Sequence, residues 1–403
     1  MTVIASNIVT LHYEDLLKFS KESPGSKEDE DIRQRLINDV ACAYGSDGLG
    51  ILAVKGVPGL QELRDRLLPM AAQIPALPKE DLETCVVEEA CYAVGWSHGK
   101  EELTPGVPDL SKGSFYANPL VNNLSQAMLE RHRASNGEDH AYEKELKRLV
   151  DANFSFFAPN VFPDSMPELE GAIFEMGQCT ATVGRLVARV CGAYCAEQRV
   201  AVDLEQILCD SLNCKARLLH YFEPKPADGD EQKEEKTSEE AWCCGWHNDH
   251  GALTGLVPAL YLAENGSKRL PFSPDPDAGL YIQSRNGDLI KASLPSDCLG
   301  FQIGETFQIL SGGLLQATPH AVKQTTTPGV TRETYAVFLE PEYEFPLRIP
   351  SGRTVDDCCP PNKANETLKL NSIKSRWNPD INFGEFNNVT LQTFHQNGRR
   401  EEA

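Results

Sequence analysis

The chain has 403 residues and a formal net charge of −21, with 41% apolar and 24% charged residues. This describes an ordinary globular protein of one large domain or two smaller ones. No basic run offers the surface that nucleic acid or an anionic membrane would need, and the longest apolar-leaning run, 184–194, is broken by Arg185 and Arg189, so no bilayer span is expected.

The N-terminus lacks the basic start and apolar core of a signal peptide, and Glu14 and Asp15 argue against a transit peptide. The default compartment is the cytosol, with the nucleus left open. Residues 29–44 carry Ile32, Leu36, Val40 and Tyr44 on one helical face, and Gly48 and Gly50 end the pattern. A short buried strand over 51–54, a turn over 56–59 and a helix over 60–72 follow. Pro75 and Pro78 open a long stretch rich in Gly, Pro and Ser that holds Trp96, Ser114, Tyr116 and Asn118. Long irregular stretches of this kind tend to serve function. The clearest helix runs over 167–194, with Leu169, Ile173, Met176, Val183, Val187, Val190 and Tyr194 as its apolar stripe.

After Asn213 the pattern changes to short strands. They are expected over 214–222, 252–262, 279–284, 289–293, 299–303, 306–310, 320–324 and 334–339, with turns such as Asn286-Gly287-Asp288 between them. This spacing suggests a β-sandwich or barrel. Residues 228–240 hold seven acids and two lysines and read as a solvated insertion. The thirteen cysteines show no framework spacing and read as reduced thiols. The adjacent pairs Cys243-Cys244 and Cys358-Cys359 are poorly placed for one tetrahedral zinc.

One constellation carries chemistry. In Trp246-His247-Asn248-Asp249-His250-Gly251, the period of two lets His247 and Asp249 reach one metal from an extended strand. His250, three residues from His247, points away. His320, 320 − 247 = 73 residues downstream, supplies a third group. Two imidazoles and one carboxylate make the facial triad of non-haem Fe(II). Taken singly, His320 would pass for a satisfied core histidine and Asp249 for a turn cap. Arg332 and Thr334 alter that weighing. They share one face of the next strand, and a guanidinium with a hydroxyl suits the far carboxylate of a dicarboxylic acid.

These residues, in this order, resemble the Fe(II)/2-oxoglutarate-dependent dioxygenase superfamily in its isopenicillin N synthase-like branch, over roughly 29–341. Further segments are similar to family landmarks: Gly48 to Val54, Leu77-Pro78-Lys79-Glu80, Gly95-Trp96-Ser97, Leu218 to Pro224, and Ile303 to Gly313. The chain also departs from the pattern. Thr334 stands for the usual serine, His220 for asparagine, Phe222 for a second tyrosine, and Ala321 for an arginine after the distal histidine. The wide ligand separation is accounted for by the loop over 265–277.

The resemblance implies an α+β chain with a double-stranded β-helix (jelly-roll) core and a mainly helical N-terminal region. Its divisions would be 1–165, 166–345 and a C-terminal extension over 346–403. His247, Asp249 and His320 would hold Fe(II); 2-oxoglutarate would meet Arg332, Thr334 and Tyr221; O₂ would be the other co-substrate, with ascorbate as an auxiliary. Trp96, Ser114, Tyr116, Asn118 and Arg217 are the candidates for substrate contact. The substrate would be a small organic molecule, hydroxylated, desaturated or cyclised. The rivals are an Fe(II) oxidase independent of 2-oxoglutarate, a silent small-molecule binder on the same fold, and a Zn²⁺ hydrolase in which Arg332 and Thr334 have no evident task.

Overall fold

The computed structural model describes residues 3–6, 8–19, 25–100, 102–104, 107–224 and 242–397. The acidic segment 228–240 lies outside the described residues. Two large sheets face each other. The smaller runs Val3–Ser6, Leu289–Ala292, Gly279–Gln283, His320–Lys323, Trp242–His247 in spatial order. The larger runs Val9–His12, Ile51–Lys55, Cys298–Ile303, Leu253–Ala263, Thr331–Leu339, Cys214–Tyr221, Lys112–Ala117, Gly95–His98, with Lys268–Leu270 paired onto Leu253–Ala263. Pairing is antiparallel except where Val3–Ser6 and Val9–His12 join their neighbours.

Alternation along each strand divides the large sheet into two faces. On Cys214–Tyr221, Cys214, Ala216 and Leu218 join the main core beneath the helices. Leu219 and Tyr221 instead pack on Cys243 and Val322 of the smaller sheet. Ile51, Ala53 and Cys298 likewise meet Ile282 and Ala292 across the gap. The space between the sheets is thus closed by apolar contacts at two places.

The helix Glu168–Glu197 covers the outer face of the large sheet. Its buried stripe includes Leu169, Ile173, Met176, Val183, Val187 and Val190, each worth roughly 2 kcal/mol on leaving water. Small residues bring it close: a Cβ on Gly177 would stand 2.2 Å from Pro119 Cβ, and one on Gly255 would stand 2.2 Å from Thr180 Cγ2. Tyr335 Oη donates to Ile173 O at 3.0 Å, fixing the helix on the sheet. The helix Lys27–Tyr44, whose N-cap Ser26 accepts from Asp29 N, anchors through Tyr44 Oη to Phe301 O at 2.9 Å.

Two expectations need correction. The residues read as a strand over 306–310 form a buried helix, Glu305–Leu310. A six-residue segment of mixed polar and apolar residues has too little length for its period to decide. The Gly- and Pro-rich stretch after Pro78 supplies two strands of the large sheet, Gly95–His98 and Lys112–Ala117. The C-terminal segment contributes Leu347, Ile373, Trp377, Phe383 and Phe386 to the main core. No helix among the described residues is long and apolar enough to cross a membrane.

Two alanine substitutions on one helix test this packing. Gly177→Ala should cost roughly 1–3 kcal/mol through collision with the rigid Pro119 ring. A Cβ at Gly171 meets nothing within 4 Å, so Gly171→Ala should stabilise by about 0.5–1 kcal/mol. Urea unfolding of both variants reads the contrast.

Candidate metal centre

His247 ends the strand Trp242–His247, and His320 begins His320–Lys323; the two residues pair directly across the ladder. Their ring centroids are 4.3 Å apart. Asp249 lies just past the strand, with Oδ1 at 3.7 Å from His247 Nε2 and 3.8 Å from His320 Nε2. One ligand atom from each of the three falls within 4.8 Å of the others.

The ring orientations are set by backbone. His247 Nδ1 contacts Gly245 O at 2.7 Å, and His320 Nδ1 contacts Thr318 O at 3.2 Å. A carbonyl only accepts, so each Nδ1 carries a proton and each Nε2 is the ring atom left facing Asp249. Thr254 donates to the Asp249 carboxylate. Burial would raise that carboxyl, but His320 and His247 beside it hold it below the usual range. Burial and the adjacent His247 push His320 down to about 4. Burial also opposes charge on His247, but Cys244 and Asp249 outweigh it and raise this imidazole to about 9. The space favours one cation, not two; a divalent metal would displace the proton of His247 Nε2, and a buried carboxylate with two Nε2 atoms is a donor set suited to it.

The loop carrying Asp249 is held by the helix Glu305–Leu310. Glu305 N donates to Asp249 O at 2.8 Å and Thr306 N to Gly251 O at 3.1 Å. The unpaired N–H groups of a helix start therefore find their acceptors in the metal loop. His250 turns outward to Asn387 Oδ1 at 2.8 Å.

Arg332 lies on the same inner face, farther along the strands. It pairs in register with Tyr221 on one side and Tyr261 on the other. Its guanidinium sits 4.9 Å from the Tyr221 ring centroid and bonds Tyr261. Its Nε and Nη1 are buried without a hydrogen-bond partner among the described residues. Tyr221 packs on Cys243 and Val322, four and two residues from His247 and His320, which puts Arg332 on the order of 10 Å from the triad. Buried N–H groups left unpaired cost about 1–3 kcal/mol each, so this arrangement suits an anion. Thr334 Oγ1 donates to Val257 O at 3.1 Å.

Three substrate candidates cluster on this face. Arg217 Nε donates to Ser114 Oγ at 3.0 Å, and its guanidinium lies 5.1 Å from the Tyr116 centroid. The sequence reading missed their neighbours, Lys112 and Asp109, a buried ion pair that lines a small cleft with Ser97 and Ser114. No local signal marks that pair. Two candidates are corrected. Trp96 faces the helices, its ring filling the space over Gly113. Asn118 is consumed by a turn: its Oδ1 accepts from Leu120 N and Val121 N, and its Nδ2 donates to Leu212 O. His220, matched above to the family's asparagine, also faces outward and contacts Glu333 at 2.8 Å. Leu219 and Tyr221 hold the inner positions.

No family model matches the chain. It is 23% identical over 388 residues to a "Probable iron/ascorbate oxidoreductase" of Dictyostelium discoideum, covering 93% of this chain and 94% of that protein. Among solved structures it is similar to a "2OG-Fe(II) oxygenase family protein" from Caulobacter crescentus, with a TM-score of 0.62, 19% identity, and 96% and 100% of the two chains covered. A full-length Neurospora crassa protein, solved in complex with alpha-KG and 5-formyluracil, gives a TM-score of 0.58 at 17% identity, covering 97% and 99%. These likenesses show the fold and bear out the resemblance to the 2-oxoglutarate/Fe(II) oxygenase superfamily.

His247→Ala and Asp249→Ala should each abolish stoichiometric binding of a divalent metal while leaving the far-UV circular dichroism unchanged. Titration with Co(II), followed by its visible bands, checks both; retained binding would displace the metal from these residues.

Proposed function

We propose that the chain is a non-haem Fe(II)- and 2-oxoglutarate-dependent dioxygenase that oxidises a small organic molecule. One observation carries the reading. The triad His247, Asp249 and His320 shares an inner face with Arg332, whose buried Nε and Nη1 await an acceptor. The Dictyostelium relative's description and the complex of the Neurospora protein with alpha-KG support it. The facing sheets are read as a double-stranded β-helix with its catalytic part in 166–345, completed by 1–165 and 346–403.

Iron, with 2-oxoglutarate and O₂, would supply the oxidising power for a C–H bond, ascorbate serving as an auxiliary; the protein supplies placement. His247 and His320 present Nε2 because their Nδ1 protons are committed to Gly245 and Thr318. Asp249 adds the anionic ligand. Arg332 receives the far carboxylate of 2-oxoglutarate, with Tyr221 and Tyr261 keeping water from its flanks. Thr334 assists only by turning its proton away from Val257 O, so it ranks below Arg332. Arg217, Ser114 and Tyr116 form the polar wall against which the substrate is oriented.

The test is anaerobic titration of Fe(II)-loaded protein with 2-oxoglutarate, watching for the visible charge-transfer band of the chelate. Arg332→Ala should weaken 2-oxoglutarate roughly 10–100-fold, as expected for losing about 1.5–3 kcal/mol of charged hydrogen bonding, with Fe(II) affinity little changed. Thr334→Val should have a smaller effect. No band in folded, iron-loaded protein would defeat the proposal and turn attention to O₂ uptake without 2-oxoglutarate.

A further inference from the structure

The three triad residues are not held alike. His247 and His320 stand on paired strands, whereas Asp249 lies in the loop that follows one of them. We propose that Arg376, from the C-terminal segment, is a positioning residue for the metal centre, its ion pair with Glu305 fixing the loop that carries Asp249. This rests on the metal-centre reading above and adds a residue outside it.

Glu305 is the link. Its backbone N–H donates to Asp249 O at 2.8 Å, so a shift of Glu305 moves the ligand's own peptide. Its carboxylate is only 1% exposed, and Arg376, 6% exposed, donates from Nη2 to both oxygens at 2.7 and 2.8 Å. Arg376 is itself fixed: Nη1 donates to Thr390 Oγ1 at 2.9 Å, Nη2 reaches Asn371 O at 3.2 Å, and the guanidinium lies 5.3 Å from the Phe386 centroid.

Both sequence neighbours of Asp249 are tied to the same segment. Asn248 Nδ2 points to Glu305 Oε1 at 3.5 Å and to Asn365 Oδ1 at 3.3 Å. His250 Nε2 meets Asn387 Oδ1 at 2.8 Å. The C-terminal segment therefore backs the metal loop from outside, while the metal would sit inside. Removing Arg376 leaves a buried, unpaired Glu305 carboxylate, which must turn toward water or take a proton. Either response loosens the peptide that Glu305 holds, and metal binding must then order Asp249. Arg332 lies at the far end of the inner face, so its contact with 2-oxoglutarate is untouched and the main loss falls on the metal.

The experiment is Co(II) titration of the full chain, at a temperature where circular dichroism shows each variant folded. Arg376→Met should weaken Co(II) about tenfold or more, the range seen for groups that orient metal ligands. Glu305→Gln, which keeps the volume and loses the charge, should weaken it less but measurably. Arg189→Met is the control. It breaks the ion pair with Glu205 between two helices and should leave Co(II) affinity unchanged whatever its melting temperature. For the metal-saturated Arg376→Met protein, 2-oxoglutarate affinity should change much less than Co(II) affinity does. Parent-like Co(II) binding in folded Arg376→Met overturns the proposal. If that variant does not fold, parent-like binding in Glu305→Gln does so instead. If the parent chain itself binds no Co(II), or Asp249→Ala binds it equally well, the metal-centre reading fails and this proposal falls with it.

Discussion

The site depends on the antiparallel pairing of Trp242–His247 with His320–Lys323. That ladder sets His320 opposite His247 and turns residues 73 apart in sequence into neighbours. Side chains alternate along both strands, so a slip of one residue would send one imidazole to the opposite face. Past the His247–His320 pair the ladder shifts register, and Cys243 and Val322 pack inward against Leu219 and Tyr221. Through Tyr221, in register with Arg332, it places a guanidinium on the inner face as well. The pairing of these strands, together with their packing on Tyr221, thus relates the two ends of the site.

The two faces of the large sheet do different physical work. The outer face is mainly apolar, apart from the His220–Glu333 pair, and is closed by the long helix, with close approach at Gly177, Gly184 and Gly255. The inner face carries Arg332, Arg217, Lys112 and Asp109 at buried or half-buried positions. An Arg332 with two buried nitrogens that find no partner among the described residues is a standing cost. The helix-facing core offsets it. Violations of polar satisfaction of this kind are expected where a ligand completes the arrangement.

Legibility in the sequence varied by residue. The helix stripe from Leu169 to Val190 and the strand Cys214–Tyr221 were readable because each repeats its period several times. The helix Glu305–Leu310 was not, since six buried residues carry no periodic contrast and its start is defined by acceptors in a distant loop. Gly95–His98 and Lys112–Ala117 were hidden in a Gly- and Pro-rich stretch. Their strand character comes from pairing with each other and with Cys214–Tyr221, not from local propensity. Trp96 and Ser114 looked alike as candidates, yet register puts Trp96 opposite Phe115 on the outer face and Ser114 opposite Leu219 on the inner one.

By itself the sequence determined the chemistry on offer: a His-x-Asp pair, a distant histidine, and an Arg-x-Thr on one strand face. Residue type and short spacing are local properties, and they single out His247 and Asp249 as partners even though Asp249 lies in the loop past the strand. Only the tertiary structure decided the face of Tyr221, the outward placement of Trp96 and His220, and the turn role of Asn118. It alone brought Arg376 to Glu305, 71 residues away, behind the loop of Asp249. Such contacts arise from the packing of whole elements, and two side chains that meet across a core leave no mark in the sequence around either.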